Sequence, residues 1–418
     1  MKKGLLVGAG FSFDLGMPLV TGLTKDFFHF LNEERLTMFI ESWKMMEPYG
    51  EDHPIDKLAL EDVYDLVQKY RKNTALNYEE FLKELQDMAR SSVSQCCIRS
   101  YQFVYGIFRD ILCQLFYMYH VYNYPIYEIN KQFYKDFNSM VGDEPLWVMT
   151  LNHDLLIEFL CMDNNIPISF GSTGEVQFPI SNLDFSSCVR FGSVKRDNLN
   201  ISDMDFILDG RGINIVKLHG ALNEYSYDDD KEIIHINVTN KEKPIDYLNK
   251  VSKVMHEMKY FVNGRSITVD GEIAASDMDG ELQFLRTSIK TGGYKYSKTL
   301  NPKPGEEKLV LLDQILNSLD EVTIVGYSFC DRHINTRLYN AMLKNENLKV
   351  WVINPSSSKS ELFEPFDYNL RVRGIECCTP EWLNYMANEN WSMENDEILK
   401  FMREKRGNIE IKFRNDKL

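Results

Sequence analysis

The fold is decided by the first residues of the chain, which read Gly4-Leu5-Leu6-Val7-Gly8-Ala9-Gly10. A short apolar run that ends in Gly-x-Gly predicts a buried strand entering a tight turn. Residues 15–23 then favour the start of a helix. A strand, a glycine turn and a helix in this order are typical of the start of a doubly wound nucleotide-binding domain. We therefore expect an α/β protein with a Rossmann-like parallel sheet.

The same pattern returns after a long interruption. Residues 24–140 show helical periodicity and no strand signal, so they predict a large all-helical insertion. Residues 167–212 read as a loop-rich segment because glycines recur through them. Further buried strands are predicted at residues 146–150, 213–218, 321–325 and 348–353.

These patterns predict three domains. The catalytic domain comprises residues 1–23 and 141–380, the helical insertion comprises 24–140, and a C-terminal extension comprises 381–418. The insertion is rich in tyrosine and phenylalanine, and large aromatic side chains are favoured in the cores of protein interfaces. We expect some of residues 101–124 to contact another subunit, which makes the protein a homo-oligomer. The alternative is that the helical unit simply has its own aromatic core.

Composition argues against several classes of function. The 418 residues include 47 Lys and Arg against 62 Asp and Glu, giving a net charge of −15. This balance disfavours direct, general nucleic-acid binding, which needs a large basic surface. The eight cysteines contain no CxxC pair, so they do not resemble a zinc ribbon. The sequence shows no signal peptide and no apolar run of about 18 residues, so we expect a cytoplasmic protein without a membrane span.

Four strand ends carry residues that suit ligand binding, and in open parallel sheets ligands bind outside the carboxyl ends of the strands. The first is the turn formed by Gly8, Ala9, Gly10 and Ser12. Its glycines let the backbone approach a pyrophosphate. Phe13 stands where the dehydrogenase fingerprint needs a third glycine, so this is not that fingerprint. The alternative is an ordinary tight turn.

The second and third strand ends supply candidate catalytic groups. Asn152 and Asp154 follow a predicted strand at alternate positions and can point the same way, although either could be a helix N-cap. His219 lies at the end of another strand, directly before Gly220. A histidine in this position suits a general base, because its ordinary pKa is near neutral pH. The alternative is a structural histidine.

The fourth strand end begins at Gly326, and the next strand ends at Asn354. Gly326 and Ser328 could approach a phosphate, and Asn354 could bond a ribose or an adenine. The alternative is a plain loop with Asp331 as the helix cap. Cys330, Asp331 and His333 together raise the question of a metal. No fourth ligand is evident and Asp331 is a natural cap, so the sequence predicts no metal and no zinc.

The combination of motifs is more specific than any part of it. In chain order the motifs are GAGxS with GxP, TxNxD, LHG, GxS and IN, and this series resembles the sirtuin superfamily. The segment Val325–Asn335 also resembles the sirtuin-like enzymes of bacterial anti-phage defence, which hydrolyse NAD. The resemblance covers residues 1–23 and 141–356 in scattered motifs. Sirtuins have a phenylalanine and an arginine where Leu19 and Val20 stand here, a glutamine in place of Leu151, and a cysteine zinc ribbon that is absent.

This resemblance implies that NAD+ is the substrate and that the bond between nicotinamide and ribose is cleaved. NAD depletion would then act in abortive infection. Asn152 would orient the ribose and the attacking water, Asp154 would hold the carboxamide, and His219 would bond the ribose hydroxyls or act as a base. The Gly8–Ser12 turn would cradle the pyrophosphate, and Ser328 and Asn354 would bind the phosphate and adenosine side.

Other readings of the same motifs stay open. The chain could be a non-catalytic sensor of NAD or ADP-ribose, an interaction subunit, or, with less support, a protein-lysine deacylase. A hydrolase of NAD must be regulated, and the sequence contains no recognisable sensor module. We therefore expect the trigger to be read by oligomerisation or by a separate partner, which could be an ATPase, an Argonaute-like protein or a phage protein.

Overall fold

The computed structural model describes most of the chain. Two compact units are formed. The sheet unit contains residues 1–17, 120–289 and 296–406, and the helical unit contains residues 18–119, 290–295 and 407–418. The described residues are 1–47, 54–73, 75–239, 241–269, 271–293, 295–296, 305–356, 361–369, 371–388 and 391–417.

A seven-stranded sheet forms the centre of the sheet unit, and all of its strand pairs are parallel. Two of its strands, β2 (Leu146–Thr150) and β6 (Ile213–Lys217), are buried at every residue, as expected where both faces of a parallel sheet are covered. The predicted α/β class and its five predicted strands are confirmed. In spatial order the strands are β15 (Val372–Ile375), β14 (Lys349–Ile353), β13 (Glu321–Val325), β1 (Lys3–Val7), β2 (Leu146–Thr150), β6 (Ile213–Lys217) and β3 (Ile168–Ser169).

Helices alternate with these strands and pack an apolar core against the sheet. Leu312 and Ile315 of one helix lie in the same buried cluster as Leu6 and Val322 of the sheet. Among the described residues no helix has the length and apolar character needed to cross a bilayer. Numbered along the whole chain, the helices of this unit are α1 (Ala9–Ser12), α7 (Tyr124–Asn130), α8 (Leu156–Asp163), α9 (Pro244–Ser252), α10 (Glu307–Ser318), α11 (Arg332–Lys344), α12 (Thr379–Asn388) and the first part of α13 (Met393–Lys417).

A second sheet in this unit corrects the expectation of a loop-rich segment at 167–212. Six antiparallel strands form it, and the hairpin of β4 (Gly174–Ser181) and β5 (Asp184–Lys195) occupies about half of that segment. The sequence does not reveal this hairpin, because Gly174 and Gly192 interrupt the alternation of apolar and polar residues and the hairpin tip is exposed on both faces. The strands are, in spatial order, β11 (Glu272–Ser276), β12 (Leu282–Thr287), β7 (Glu224–Tyr227), β8 (Glu232–Ile236), β5 (Asp184–Lys195) and β4 (Gly174–Ser181), and a separate short hairpin joins β9 (Phe261–Val262) to β10 (Arg265–Ser266).

The helical unit matches the predicted absence of strands, since every regular element described between residues 18 and 119 is a helix. Polar caps fix where several helices begin. Asn77 and Glu80 form a reciprocal capping box, and Asp56 accepts two backbone hydrogen bonds at another helix start. The helices are α2 (Val20–Phe30), α3 (Glu33–Lys44), α4 (Lys57–Lys72), α5 (Tyr78–Ser91) and α6 (Gln95–Tyr122), and the C-terminal helix α13 (Met393–Lys417) contributes its last part.

Aromatic side chains form the core of the helical unit within a single chain. Phe27 packs edge-on against Phe108 with ring centroids 5.9 Å apart, and Phe81 lies 5.4 Å from the same ring. Tyr101 and Tyr119 are also buried. These contacts explain the aromatic-rich sequence without a second subunit. They therefore favour the interpretation that residues 101–124 belong to an aromatic core of the helical unit itself.

The unit boundaries differ from the domain boundaries predicted from the sequence, which were 23/24 and 140/141. Residues 120–140 belong to the sheet unit because their polar side chains donate hydrogen bonds to backbone carbonyls of residues 11–16. The Asn123 Nδ2 donates to Gly16 O at 2.5 Å, and the Tyr134 hydroxyl donates to Phe11 O at 2.7 Å. At the other end, Phe413 packs on Tyr119, which places the end of α13 in the helical unit. Such long-range contacts leave no periodic signal in the sequence.

Candidate active site

The carboxyl ends of four adjacent strands lie at one edge of the parallel sheet. Val7 at the end of β1 is in register with Thr150 of β2 and Val325 of β13. Thr150 is in turn paired with Lys217, the last residue of β6. The candidate segments that follow these strands therefore begin at the same level, as the sequence predicted.

Three glycines bring two of these segments into backbone contact. Gly326 has φ +63°, and a Cβ placed there would lie 2.4 Å from Phe11 N. A Cβ on Gly8 or Gly10 would lie 2.6 or 2.7 Å from Gly326 atoms. The amides of Gly8 and Gly10 donate to Val325 O and Gly326 O, both at 3.0 Å. In this conformation the glycines serve close packing, and these two amides are already used.

Ser12 joins two of the predicted catalytic side chains. The Asn152 Nδ2 donates to Ser12 Oγ and to Gly8 O, each at 3.0 Å. The Ser12 hydroxyl bonds the Asp154 carboxylate. All three side chains are buried, with Ser12 at 0% exposure. The structure thus brings Ser12, Asn152 and Asp154 into one hydrogen-bonded set at the ends of β1 and β2.

The buried Lys217 opposes the effect of burial on Asp154. Burial raises the pKa of Asp154 above its ordinary value, and the Lys217 ammonium, followed by the bond from Ser12, opposes that rise. The Lys217 Nζ donates to Asp154 O at 2.7 Å and forms an ion pair with Glu158 at 2.8 Å. The sequence motifs give Lys217 no role. A charged residue inside an otherwise buried strand is the signal that could have identified it.

His219 lies beside a second histidine that the sequence did not connect to it. The Nε2 atoms of His219 and His333 are 3.1 Å apart, and both rings are buried. Tyr296 packs against both, with its ring centroid 5.0 Å from that of His333. His153, next to Asn152, has its ring centroid 6.4 Å from that of His219. His219 is therefore part of an imidazole cluster rather than an isolated side chain.

The remaining predicted residues lie in or beside the loop after β13. Ser328 is exposed, and the half-buried Asn354 donates from Nδ2 to Tyr327 O at 2.9 Å. Asn354 therefore holds the loop in place. Phe329 has φ +58°, an uncommon conformation for a bulky residue. The loop is thus strongly constrained, which is a common property of ligand-binding segments.

The C-terminal helix α13 also contacts the glycine turn, which no sequence signal indicated. Arg403 forms two hydrogen bonds of 2.7 Å with the Asp14 carboxylate. The Arg406 guanidinium lies 4.0 Å above the Phe13 ring and donates to Met17 O at 2.6 Å. The extension predicted at 381–418 therefore helps to hold the first turn of the sheet unit.

A pH effect on stability follows from His120, whose Nε2 accepts from Leu155 N–H at 3.1 Å. Burial, and secondly the charge of Lys217, lower the pKa of His120 from 6.5 to about 3. Below pH 6.5 His120 is protonated in the unfolded chain, whereas in the folded protein it stays neutral down to about pH 3. The free energy of unfolding should therefore fall with falling pH in this window, by up to about 1.4 kcal/mol per pH unit.

Urea unfolding at several pH values between 5 and 7.5 tests this expectation. Glutamine at position 120 can accept from the same amide without titrating, so His120→Gln should flatten the pH dependence by up to one proton. His256→Gln, at an exposed histidine, is the control and should leave the slope unchanged. Equal slopes for wild type and His120→Gln would contradict the assignment.

The functional proposal rests on the geometry of the site, because the comparisons with protein families and curated proteins found no match. No protein-family model matches the chain, and no curated protein matches it in sequence. What the geometry provides is a set of buried donors and acceptors at the edge of a parallel sheet, with a carboxylate, an amide and an imidazole cluster. Such a set can orient a polar substrate and stabilise developing charge.

Proposed function

We propose that this protein is a sirtuin-like NAD+ glycohydrolase that releases nicotinamide and ADP-ribose. The observation that carries the proposal is the hydrogen-bonded set of Ser12, Asn152 and Asp154 at the ends of β1 and β2. Its position matches the place where ligands bind in open parallel sheets. The resemblance assigns the ribose to Asn152 and the carboxamide to Asp154, and it places Ser12 in the turn that would cradle the pyrophosphate.

In the proposed reaction the bond between the ribose C1′ and the nicotinamide nitrogen breaks. The bonding electron pair passes to the nicotinamide ring, which becomes neutral, and positive charge develops on the ribose. Water then adds at C1′ and loses a proton. Fixed acceptors near the ribose stabilise this charge without reorganising during the reaction.

Asn152 is positioned for the ribose side of this reaction. Both of its described side-chain hydrogen bonds use Nδ2, so in the proposed reaction Oδ1 would accept from a ribose hydroxyl or from the attacking water. Asp154 would accept from the amide of the carboxamide, and Lys217 favours the ionised form that this requires. His219 would bond the ribose hydroxyls or accept the proton of the water.

Burial of these groups supports a regulated enzyme. Asn152 is 8% exposed and His219 is 2% exposed, so NAD+ reaches them only after side chains move. We propose that this closed state keeps NAD intact and that a trigger opens it during anti-phage defence. The proposed trigger acts through homo-oligomerisation or a partner protein, namely an ATPase, an Argonaute-like protein or a phage protein.

The reaction products test the proposal directly. Purified protein incubated with NAD+, alone and with candidate phage proteins, should release nicotinamide and ADP-ribose in equal amounts, measured by liquid chromatography. Turnover that depends on an acetylated peptide would instead indicate a deacylase. Binding of NAD+ or ADP-ribose without turnover under every condition would indicate a sensor, and the hydrolase proposal would be wrong.

A further inference from the structure

We propose that His219, His333 and Asp331 bind a divalent transition metal ion, with Zn²⁺ as the preferred metal, and that this ion inhibits the enzyme. One ligand atom from each of the three residues lies within 4.8 Å of the others. The binding site stands on this geometry alone. The inhibitory role rests on the proposed function, because it concerns His219 as a group that acts on NAD+.

The two imidazoles are spaced as metal ligands are. Their Nε2 atoms are 3.1 Å apart. Two nitrogens at about 2.0–2.1 Å from one tetrahedral Zn²⁺ lie about 3.3 Å from each other, so the observed spacing needs a change of only a few tenths of an ångström. In the metal-free protein one Nε2 must carry a proton. Metal binding moves that proton to Nδ1, and both Nε2 lone pairs then face the ion.

Asp331 is placed to complete the site. It occupies the N-cap position of α11, yet its side chain makes no capping hydrogen bond to that helix. The sequence predicts Asp331 as a helix cap, and this role argues against a metal. The structure removes that argument, because turning the carboxylate toward the imidazoles costs the helix no cap. The sequence placed Cys330 with Asp331 and His333 as possible ligands. In the structure Cys330 is exposed, and the third member of the cluster is His219.

The loop that carries Asp331 is fixed by its own hydrogen bonds. The Tyr327 hydroxyl accepts from Asp331 N–H at 3.1 Å and donates to Asn335 Oδ1 at 2.9 Å. The Asn335 Nδ2 donates to Phe329 O at 2.7 Å. These bonds fix the backbone of Asp331 directly before α11, the helix that carries His333. A preorganised backbone lowers the cost of assembling a metal site.

Two histidines and one carboxylate suit zinc in chemistry and in number. Imidazole and carboxylate are ordinary zinc ligands, and three protein ligands with water in the fourth position are common. An ion held here would use the His219 Nε2, which then cannot bond a ribose hydroxyl or accept a proton. Zinc binding should therefore compete with NAD cleavage.

Isothermal titration of the full chain with zinc chloride tests the site. Wild type should bind one ion, and His333→Ala or Asp331→Ala should weaken the affinity at least tenfold. His256→Ala, which removes an exposed histidine, should change nothing. Circular dichroism confirms that each variant is folded, and zinc K-edge absorption should show two imidazole ligands in wild type. Equal affinities for wild type and the two site variants would overturn the proposal.

The inhibitory role is tested separately in the NAD cleavage assay. Each variant is compared with its own zinc-free rate, so that changes in basal activity do not enter. Wild type should be inhibited by zinc, and Asp331→Ala should need at least tenfold more zinc for the same inhibition. Site-specific binding without NAD cleavage under any condition would leave the metal site standing and defeat the proposed hydrolase. Cleavage that zinc inhibits equally in wild type and Asp331→Ala would defeat the inhibitory role.

Discussion

Asn152→Ala should lower kcat/KM for NAD cleavage by about 10²–10³, the loss typical of removing one preorganised group that stabilises transition-state charge. The substitution removes the Oδ1 that the proposed reaction uses and the Nδ2 that donates to Gly8 O and Ser12 Oγ. Loss of these bonds should reduce stability by about 1–3 kcal/mol, so the protein should still fold. Activity is measured by nicotinamide release, and folding by circular dichroism.

Asn164→Ala is the matched control for this experiment. Asn164 also donates from its Nδ2 to a backbone carbonyl, that of Leu160 at 2.8 Å, at the end of the helix that follows Asn152. Its removal should leave cleavage within about twofold of wild type, because it lies outside the set of Ser12, Asn152 and Asp154. Near-normal turnover by a folded Asn152→Ala protein would show that Asn152 does not have the role assigned to it.

Gly326→Ala should destabilise the sheet unit by more than about 3 kcal/mol. The new methyl would lie 2.5 Å from Gly10 Cα and 2.4 Å from Phe11 N, which are backbone atoms that cannot rotate away. The residue also keeps φ +63°, which costs an L-amino acid about 1–2 kcal/mol by itself. Overpacking adds about 1–3 kcal/mol or more. Urea unfolding followed by circular dichroism measures the loss.

Gly210→Ala separates the two contributions. Gly210 has φ +84° and nothing within 4 Å of a built Cβ, so only the backbone strain applies. Its substitution should cost about 1–2 kcal/mol. If Gly326→Ala costs no more than Gly210→Ala, the close contact between the turns after β1 and β13 is not tight in solution.

Local sequence patterns were sufficient to predict the parallel sheet and the convergence of its strand ends. Short apolar runs identify buried strands, and the carboxyl ends of parallel strands necessarily meet at one edge. The helical character of residues 24–119 was predictable for the same reason, since helical periodicity is a local property. The partly exposed β4–β5 hairpin has no continuous apolar run and was missed.

Other features depend on contacts between residues far apart in the sequence, which no local pattern encodes. The pairing of His219 with His333 spans 114 residues. The bond from Asn130 Nδ2 to Asp14 O spans 116 residues, so the sequence could not assign residues 120–140 to the sheet unit. For the same reason the sequence identified His219 as a candidate but could not place it in an imidazole cluster.

The contact of Arg403 with Asp14 has a consequence for synthesis on the ribosome. These residues are 389 positions apart, so the first turn of the protein waits for nearly the whole chain before its ion pair can form. At about 5–20 residues per second this delay lasts tens of seconds. In the finished sheet β1 lies between β2 and β13, and both of these strands are synthesised after it. We therefore expect nascent and truncated chains to lack the assembled candidate site.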